Sequence, residues 1–340
     1  MPIRWTVFSL LLVLSFSTSL YAHTKIPRGI EISGNQLLRD GKPWISKGVT
    51  IVGRVSPASV AKGAYLQARS AFGAAELEAA KNVFHADTVR LQVSQPGLDP
   101  ASSIYSADYK TEVAQAIQLA RSMNFIVIVS MQAAGPSGLK DPSGMPSDAT
   151  VRAWQTLCPV VKGYGGILLE LFNEPEAYNA ADQWHKGMQK VLNAVRKSGA
   201  RNIVILDGLQ WGRSFKGLKL PNDPLHKIVL GVHPYFKPSF TTSAEWDSFF
   251  GNAAEKTPAI ATEWNATPTA GCVPNLPQTA AALMKYLKRK HMGLVGWGMD
   301  YPDTLFTDLQ FQILTKFDGF TAYKEGSGIG AGEAFRDWRP

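Results

Sequence analysis

The chain of 340 residues is 45% apolar and 18% charged, a balance that excludes the disordered and fibrous classes and allows a sizeable packed core. Its two cysteines, Cys158 and Cys272, exclude a disulfide-stapled scaffold and a multi-cysteine metal centre. The formal charge of +8 is dispersed: the densest basic stretch, Lys285 to His291, reads as the solvated face of an amphipathic helix, and no nucleic-acid partner is expected.

At the N-terminus, Arg4, the apolar run Val7 to Phe16 and the small and polar residues up to Tyr21 and Ala22 follow the pattern of a cleavable secretory signal. The run is shorter than the roughly 18 apolar residues that a spanning helix needs. Residues 1–22 are therefore expected to be removed, and residues 23–340 to form one soluble domain, secreted or periplasmic, without stable membrane insertion. A retained anchor is the alternative.

Next, Ile30 to Asn35 and Gln36 to Pro43 read as short extended pieces turned at Gly34-Asn35 and Asp40-Gly41. Eight apolar, β-branched runs follow: Trp44 to Ile51, Thr88 to Val93, Phe125 to Met131, Ile167 to Phe172, Asn202 to Leu206, Ile228 to Val232, Ala259 to Thr262 and Leu294 to Trp297. Between most of them lie helical patterns such as Ala75 to His85, Thr111 to Met123, Ala181 to Lys197 and Gln278 to His291. Eight βα units close a (β/α)8 barrel, with the N-terminal hairpin plugging its floor. The competing doubly wound sheet lacks any G-x-G-x-x-G after an early strand. The Gly-rich segment from Phe317 to Pro340 shows only patchy periodicity, so the last helix is expected to be short or to end near Trp338. In such a barrel Cys158 falls near a helix end and Cys272 on the opposite rim, and no bridge between them is expected.

Barrel strands end at the mouth where active sites lie. The fourth run passes from Ile167 through Glu170 into Asn173-Glu174-Pro175, and the seventh ends in Thr262-Glu263-Trp264. Two carboxylates on opposite sides of one mouth are what cleavage of a glycosidic bond requires; a separation of about 5 Å retains the anomeric configuration and about 6.5 to 9.5 Å inverts it. No cluster has metal-ligand spacing and no G-x-S-x-G occurs, so neither a metal nor a nucleophilic serine is expected.

With Asn173-Glu174-Pro175 and Glu263 ending strands four and seven, the chain resembles glycoside hydrolase family 5, the cellulase-like retaining β-glycanases. The resemblance runs from the entry hairpin to Trp297. It implies Glu174 as acid/base and Glu263 as nucleophile, and no cofactor. It also places Arg90 at the strand-two arginine, His233 and Tyr235 at the strand-six His-x-Tyr, and Trp297 at the strand-eight tryptophan. Arg90 and Tyr235 would hold the Glu263 anion, Asn173 would meet the sugar 2-hydroxyl and Trp297 would lie beneath the reacting sugar. Strand three departs from the pattern, ending in Met131-Gln132 where the family usually has a histidine; Gln132 can hydrogen-bond a sugar but cannot change charge. Trp211 and Trp264 are candidate sugar platforms, and the loop Ala133 to Ser147 a wall of the cleft. The implied protein is a monomeric endo-β-1,4-glucanase acting on a β-glycan. The alternatives are a β-mannanase, an exo-β-glucosidase or transglycosylase, and a catalytically silent carbohydrate-binding barrel.

Overall fold

The computed structural model describes residues 29–61, 72–266, 269, 273, 275–301, 304–308, 310–315 and 332–340. The expected signal over residues 1–22, Cys272 and most of the Gly-rich tail lie outside the described residues.

The strands β1 (Ile30–Ser33) and β2 (Gln36–Arg39) pair antiparallel, and β3 (Lys42–Pro43) adds to β2. Gly34 makes the tight turn between the first two with φ +59, a conformation glycine adopts without cost. Eight parallel strands then close on themselves: β4 (Lys47–Ile51), β5 (Thr88–Ser94), β6 (Ile126–Gln132), β7 (Ile167–Glu170), β8 (Val204–Asp207), β9 (Ile228–Val232), β10 (Ala259–Trp264) and β11 (Gly293–Gly296), which pairs back to β4. This is the (β/α)8 barrel expected from the eight runs, each of which overlaps one of these strands.

Several boundaries shift by one to three residues, and two of the shifts have a clear physical reason. The first run begins at Trp44, but that residue belongs to the floor: its backbone N–H donates to Leu37 O and its indole to Asp87 Oδ2. The fourth run leaves the regular ladder at Glu170, although Leu171 N–H still reaches Ile205 O and Asn173 N–H reaches Met131 O.

Around the barrel lie α1 (Ala74–Phe84), α2 (Ala107–Ser122), α3 (Asp148–Val161), α4 (Ala181–Lys197), α5 (Ser243–Trp246, running on through a π turn to Ala254) and α6 (Leu276–Arg289). The short α7 (Gly332–Asp337) then ends the chain near Trp338, as expected. Lys47, buried at the foot of β4, donates to Arg336 O and Trp338 O and so fastens this tail to the barrel. No helix among the described residues is long and apolar enough to cross a membrane.

The interior of the barrel is divided by height. Ile126, Ile128, Leu168, Ile205, Val229, Ile260 and Val295 fill the lower part and meet Ile30 and Leu37 of the hairpin, with Ile32 and Trp44 packed on them. Because side chains alternate with period two along each strand, the next inward positions form a second layer nearer the mouth, and that layer is polar: Arg90, Ser130, Glu170, Asp207 and Thr262. The outward positions, such as Val89, Leu91, Val129, Leu169, Leu206 and Leu230, face the helices.

The floor predicts a measurable cost. Leu37 is buried where the hairpin plugs the barrel, so Leu37→Ala should lower unfolding free energy by about 2 to 4 kcal/mol. A change under about 0.5 kcal/mol in denaturant titration, the size typical of a surface substitution, would contradict the plugging role.

Candidate active site

Arg90 comes from the alternating segment Val89-Arg90-Leu91-Gln92, which sends the arginine and the glutamine inward from β5. The guanidinium is fully buried and fans out across three strands. Its Nε donates to Glu170 Oε2 at 2.6 Å, Nη1 to Glu263 Oε2 at 2.6 Å, and Nη2 to Glu170 Oε1 at 3.0 Å, Asn173 Oδ1 at 2.5 Å and Ser130 Oγ at 3.0 Å. Such forked, charge-assisted bonds fix both partners in position and orientation.

A break in register on β10 aims Glu263. Between Ala261 and Trp264 the pairing with β11 shifts, as a bulge does when one extra residue is accommodated. Two successive side chains therefore face inward. Thr262 Oγ1 donates to Glu170 Oε1 at 3.1 Å, while Glu263 accepts from Arg90, from Gln92 Nε2 at 3.2 Å and from the Tyr235 hydroxyl at 3.0 Å. Desolvation and the Glu263 charge push Tyr235 well above the usual phenol range, so it keeps the proton it donates. Burial raises the Glu263 carboxyl above the ordinary glutamate value, against the pull of His233 and Arg90.

Glu174 is held by its backbone. Its φ of 55 is left-handed, a conformation costly for a side chain-bearing residue. Asp207 Oδ2 accepts its N–H at 3.0 Å, and the carbonyls at the ends of β7 and β8 are clamped from outside: Trp154 Nε1 donates to Leu171 O and Trp184 Nε1 to Asp207 O. His233 Nδ1 meets Glu174 Oε1 at 2.8 Å and its Nε2 meets Thr262 Oγ1 at 3.1 Å. Burial works against an imidazolium there, but the Glu263 charge and the bonds to Glu170 and Glu174 win and raise His233 well above the ordinary histidine range. Oxygens of Glu174 and Glu263 and a His233 nitrogen all lie within 4.8 Å of one another.

Beneath them, Glu170, Asp207 and His233 form a second such cluster, wholly buried. Against burial, the Arg90 charge holds Glu170 below the usual carboxylate range, whereas burial and then the Glu170 charge push Asp207 well above it. One carboxyl is ionised and the other keeps its proton. These two clusters are the groupings among the described residues whose geometry could hold a cation; Arg90 already binds Glu170 and Glu263, while Asp207 Oδ1 has no hydrogen-bond partner among the described residues.

The structure brings Arg90, Asn173, Glu174, His233, Tyr235 and Glu263 together. Trp297 stands at the same mouth, its ring tilted 5.3 Å from Tyr301 and packed on Val52 and Val55. Asp300 supports that side by accepting the N–H groups of Val52 and Gly53, each at 2.7 Å. Gln132 ends β6 with its Oε1 buried and without a hydrogen-bond partner among the described residues. Trp211 is 37% exposed and meets Tyr178 edge-on beside Glu174. Trp264 is corrected: it is fully buried, edge-on to Phe236 in the core, because the bulge that turns Glu263 inward sends its neighbour outward, and it cannot serve as a sugar platform. The loop Ala133 to Ser147 does contribute to the cleft wall through Ala133, Ala134, Asp141 and Gly144.

Residues 58–303 match the family model described as cellulase (glycosyl hydrolase family 5). Beta-mannanase/endoglucanase A of Caldicellulosiruptor saccharolyticus is 22% identical over 227 residues, which cover 62% of this chain and 16% of that protein. Manganese dependent endoglucanase Eg5A of Phanerodontia chrysosporium is 28% identical over 103 residues, 27% of either chain. The chain thus spans only a minor part of these relatives. Among solved structures, beta-glucanase SdGluc5_26A from Saccharophagus degradans superposes with a TM-score of 0.65 at 20% identity, covering 84% of this chain and 89% of that one. The catalytic domain of Thermobifida fusca endoglucanase Cel5A gives 0.63 at 17% identity, covering 90% and 95%. A mannotriose complex of Thermomonospora fusca beta-mannanase gives 0.58 at 19%, covering 80% and 84%. At these identities the likeness is one of fold.

The division of charge between the two buried carboxyls can be tested. Glu170→Gln leaves Arg90 with one counter-charge fewer and should cost about 3 to 5 kcal/mol, whereas Asp207→Asn replaces a neutral group and should cost no more than about 1.5 kcal/mol. Denaturant unfolding of the two variants side by side decides it; the reverse order would move the proton to Glu170.

Proposed function

The chain belongs to glycosyl hydrolase family 5, and from that premise we propose that it is a retaining hydrolase of β-linked polysaccharide, an endo-β-1,4-glucanase by preference, acting as a monomer outside the cytoplasm. The observation that carries the reading is the approach of Glu174 and Glu263 oxygens within 4.8 Å. Retaining sites hold their carboxyl groups about 5 to 5.5 Å apart, and an inverting site needs room for a water between them.

In the first step Glu263 attacks the anomeric carbon. The bond to the leaving oxygen breaks as Glu174 delivers its proton there, and a glycosyl ester forms on Glu263. Water then adds to the anomeric carbon, giving its proton to Glu174, and the ester bond breaks. Arg90, Gln92 and Tyr235 supply three donors to the Glu263 carboxylate, and their bonds both orient it and favour the anion. His233 binds Glu174 Oε1 and leaves Oε2 without a protein partner among the described residues, open to the leaving oxygen. Asn173 is anchored to Arg90 through Oδ1, which turns its amide N–H groups toward a sugar hydroxyl. Trp297 offers the apolar face beneath the reacting ring. Export rests on the N-terminal signal pattern alone.

Soluble cellulose derivative, mixed-linkage glucan and galactomannan, offered in turn and followed by NMR, test this reading. A β-configured first product from a β-glucan is expected, an α-configured one would contradict the nucleophile role, and faster turnover of galactomannan would move the specificity to mannan. Glu263→Ala should abolish hydrolysis and regain turnover of an activated aryl glycoside with azide.

The pH profile follows from the same geometry. Glu263 must be ionised to attack, so activity is lost as pH falls through its pKa. Since burial raises that pKa, the acidic limb of kcat/KM should lie above the ordinary glutamate value of 4.5; a limb at or below it would mean that the donors outweigh burial.

A further inference from the structure

Beside Glu174, a cavity of about 420 Å³ opens between Tyr178, Trp211, Arg213, Tyr235, Lys237 and Thr269. It shares Glu174 and Tyr235 with the reacting centre but includes neither Glu263 nor Trp297. It therefore lies on the side of the acid/base, where the departing part of the glycan sits.

Two features of this cavity are unexplained by neutral sugar. Of the two arginines buried among the described residues, Arg90 holds two carboxylates, while Arg213, only 5% exposed, holds none. Among the described residues its terminal nitrogens make just two long bonds, 3.5 Å to Gln210 O and 3.3 Å to Thr269 Oγ1, and its Nε has no partner. A Phe240 ring lies 5.7 Å from the guanidinium, a weak substitute for a counter-ion. The second feature is Lys237, which lines the same cavity and also forms no ion pair among the described residues. Burial and repulsion from Arg213 pull it below the ordinary lysine range. In the sequence, the stretch from Asn265 to Asn275, which includes Thr269, contains no acidic residue. The Glu174 charge favours the guanidinium without pairing with it; a buried guanidinium without a paired anion is costly, and two cations facing one cavity compound the cost.

We infer that Arg213 and Lys237 form an anion-recognising subsite on the leaving-group side, which takes a carboxylate carried by the departing sugar, so that the substrate is an acidic β-glycan. This rests on the hydrolase reading above and narrows it. The planar fork of Arg213 matches a carboxylate, Lys237 adds a second charge, and Trp211 with Tyr178 supplies the aromatic wall for the sugar ring. Glu174 itself is an acid, so the anion has to lie toward Arg213 and Lys237, away from the reacting oxygen.

Two trisaccharides with the same β-linked backbone test it, one ending in glucose on the reducing side and the other in glucuronate. Both kcat/KM of the wild type and calorimetric binding to a Glu174→Gln variant are measured. The glucuronate form should be preferred about tenfold at low ionic strength, and the preference should shrink with added salt. Arg213→Gln should reduce the preference to within about twofold, while Arg213→Lys, which keeps the charge and loses the fork, should retain part of it. No preference in the wild type, or an equal loss for both trisaccharides in Arg213→Gln, overturns the inference; the latter would make Arg213 a support for the Gln210–Trp211 turn. Should Arg213→Gln fail to fold, Lys237→Gln on the cavity rim decides in the same way, a reduced preference supporting the inference and an unchanged one overturning it. If neither trisaccharide is cleaved, the hydrolase reading fails, and the binding preference alone then decides, its presence supporting the subsite and its absence overturning it.

Discussion

Arg90 is the constraint on which the site depends. A guanidinium with no exposure to water needs its charge answered from within the barrel, and Glu170 and Glu263 answer it from two other strands. Removing either partner leaves a buried charge uncompensated, which is far more costly than the intact pair is favourable. The arrangement is thus locked in both directions. The arginine fixes the carboxylates, and Glu170, lying deeper than Glu263, fixes the arginine. A carboxylate free to swing would meet the anomeric carbon in the right orientation only part of the time, and that loss would enter the reaction barrier directly. Here the energy of folding holds the orientation before substrate arrives.

That lock is possible because the barrel interior is layered. Apolar side chains seal the lower half against the hairpin floor, so no water reaches the ionic layer from below. The ionic layer in turn needs space that a uniform apolar core would not leave. Gly231 supplies some of it: a Cβ at that position would collide with Asp207 Oδ1 and press on Ile205. Glycine here serves close packing of a carboxyl group, not a special backbone angle. The bulge in β10 is the second concession, since strict alternation would have sent either Thr262 or Glu263 into the helical layer.

Much of this was legible in the chain. Eight β-branched runs alternating with helical periodicity carried the fold, and strand ends in Asn173-Glu174 and Glu263 carried the carboxylates. What escaped were Gln92, Glu170 and Asp207, and each was written in period two: Gln92 in step with Arg90, Glu170 with Leu168, Asp207 with Ile205. A polar residue two places beyond an inward one, in a barrel strand, is itself inward, and that rule would have found all three. Trp264 was misread for the opposite reason. Proximity to Glu263 in sequence suggested the mouth, but a bulge is invisible to composition and reverses the face of whatever follows it. The second buried arginine, Arg213, gave no signal either, because its lack of a counter-charge is a property of three-dimensional neighbours.

The two carboxylates proposed as acid/base and nucleophile are positioned by different means, and the difference suits those tasks. Glu263 is held through its side chain, by three donors that favour the anion in one orientation. Glu174 is held chiefly through its backbone: a left-handed φ sustained by the bond from its N–H to Asp207, with one carboxyl oxygen bound by His233. A nucleophile forms and breaks one bond along a fixed line, so a fully bound carboxylate serves it. An acid that must later act as a base exchanges a proton with two different oxygens, of the leaving sugar and of water. It therefore needs one oxygen unbound while the main chain keeps it in place. Asp207 can perform that service because burial and the neighbouring Glu170 charge keep it protonated. A second anion at that depth would repel Glu174 and Glu263 alike. The positive charge of Arg90 is then shared between Glu170 and Glu263, with His233 pulling on the same two carboxylates, and the chemistry of the mouth follows from how those charges are divided.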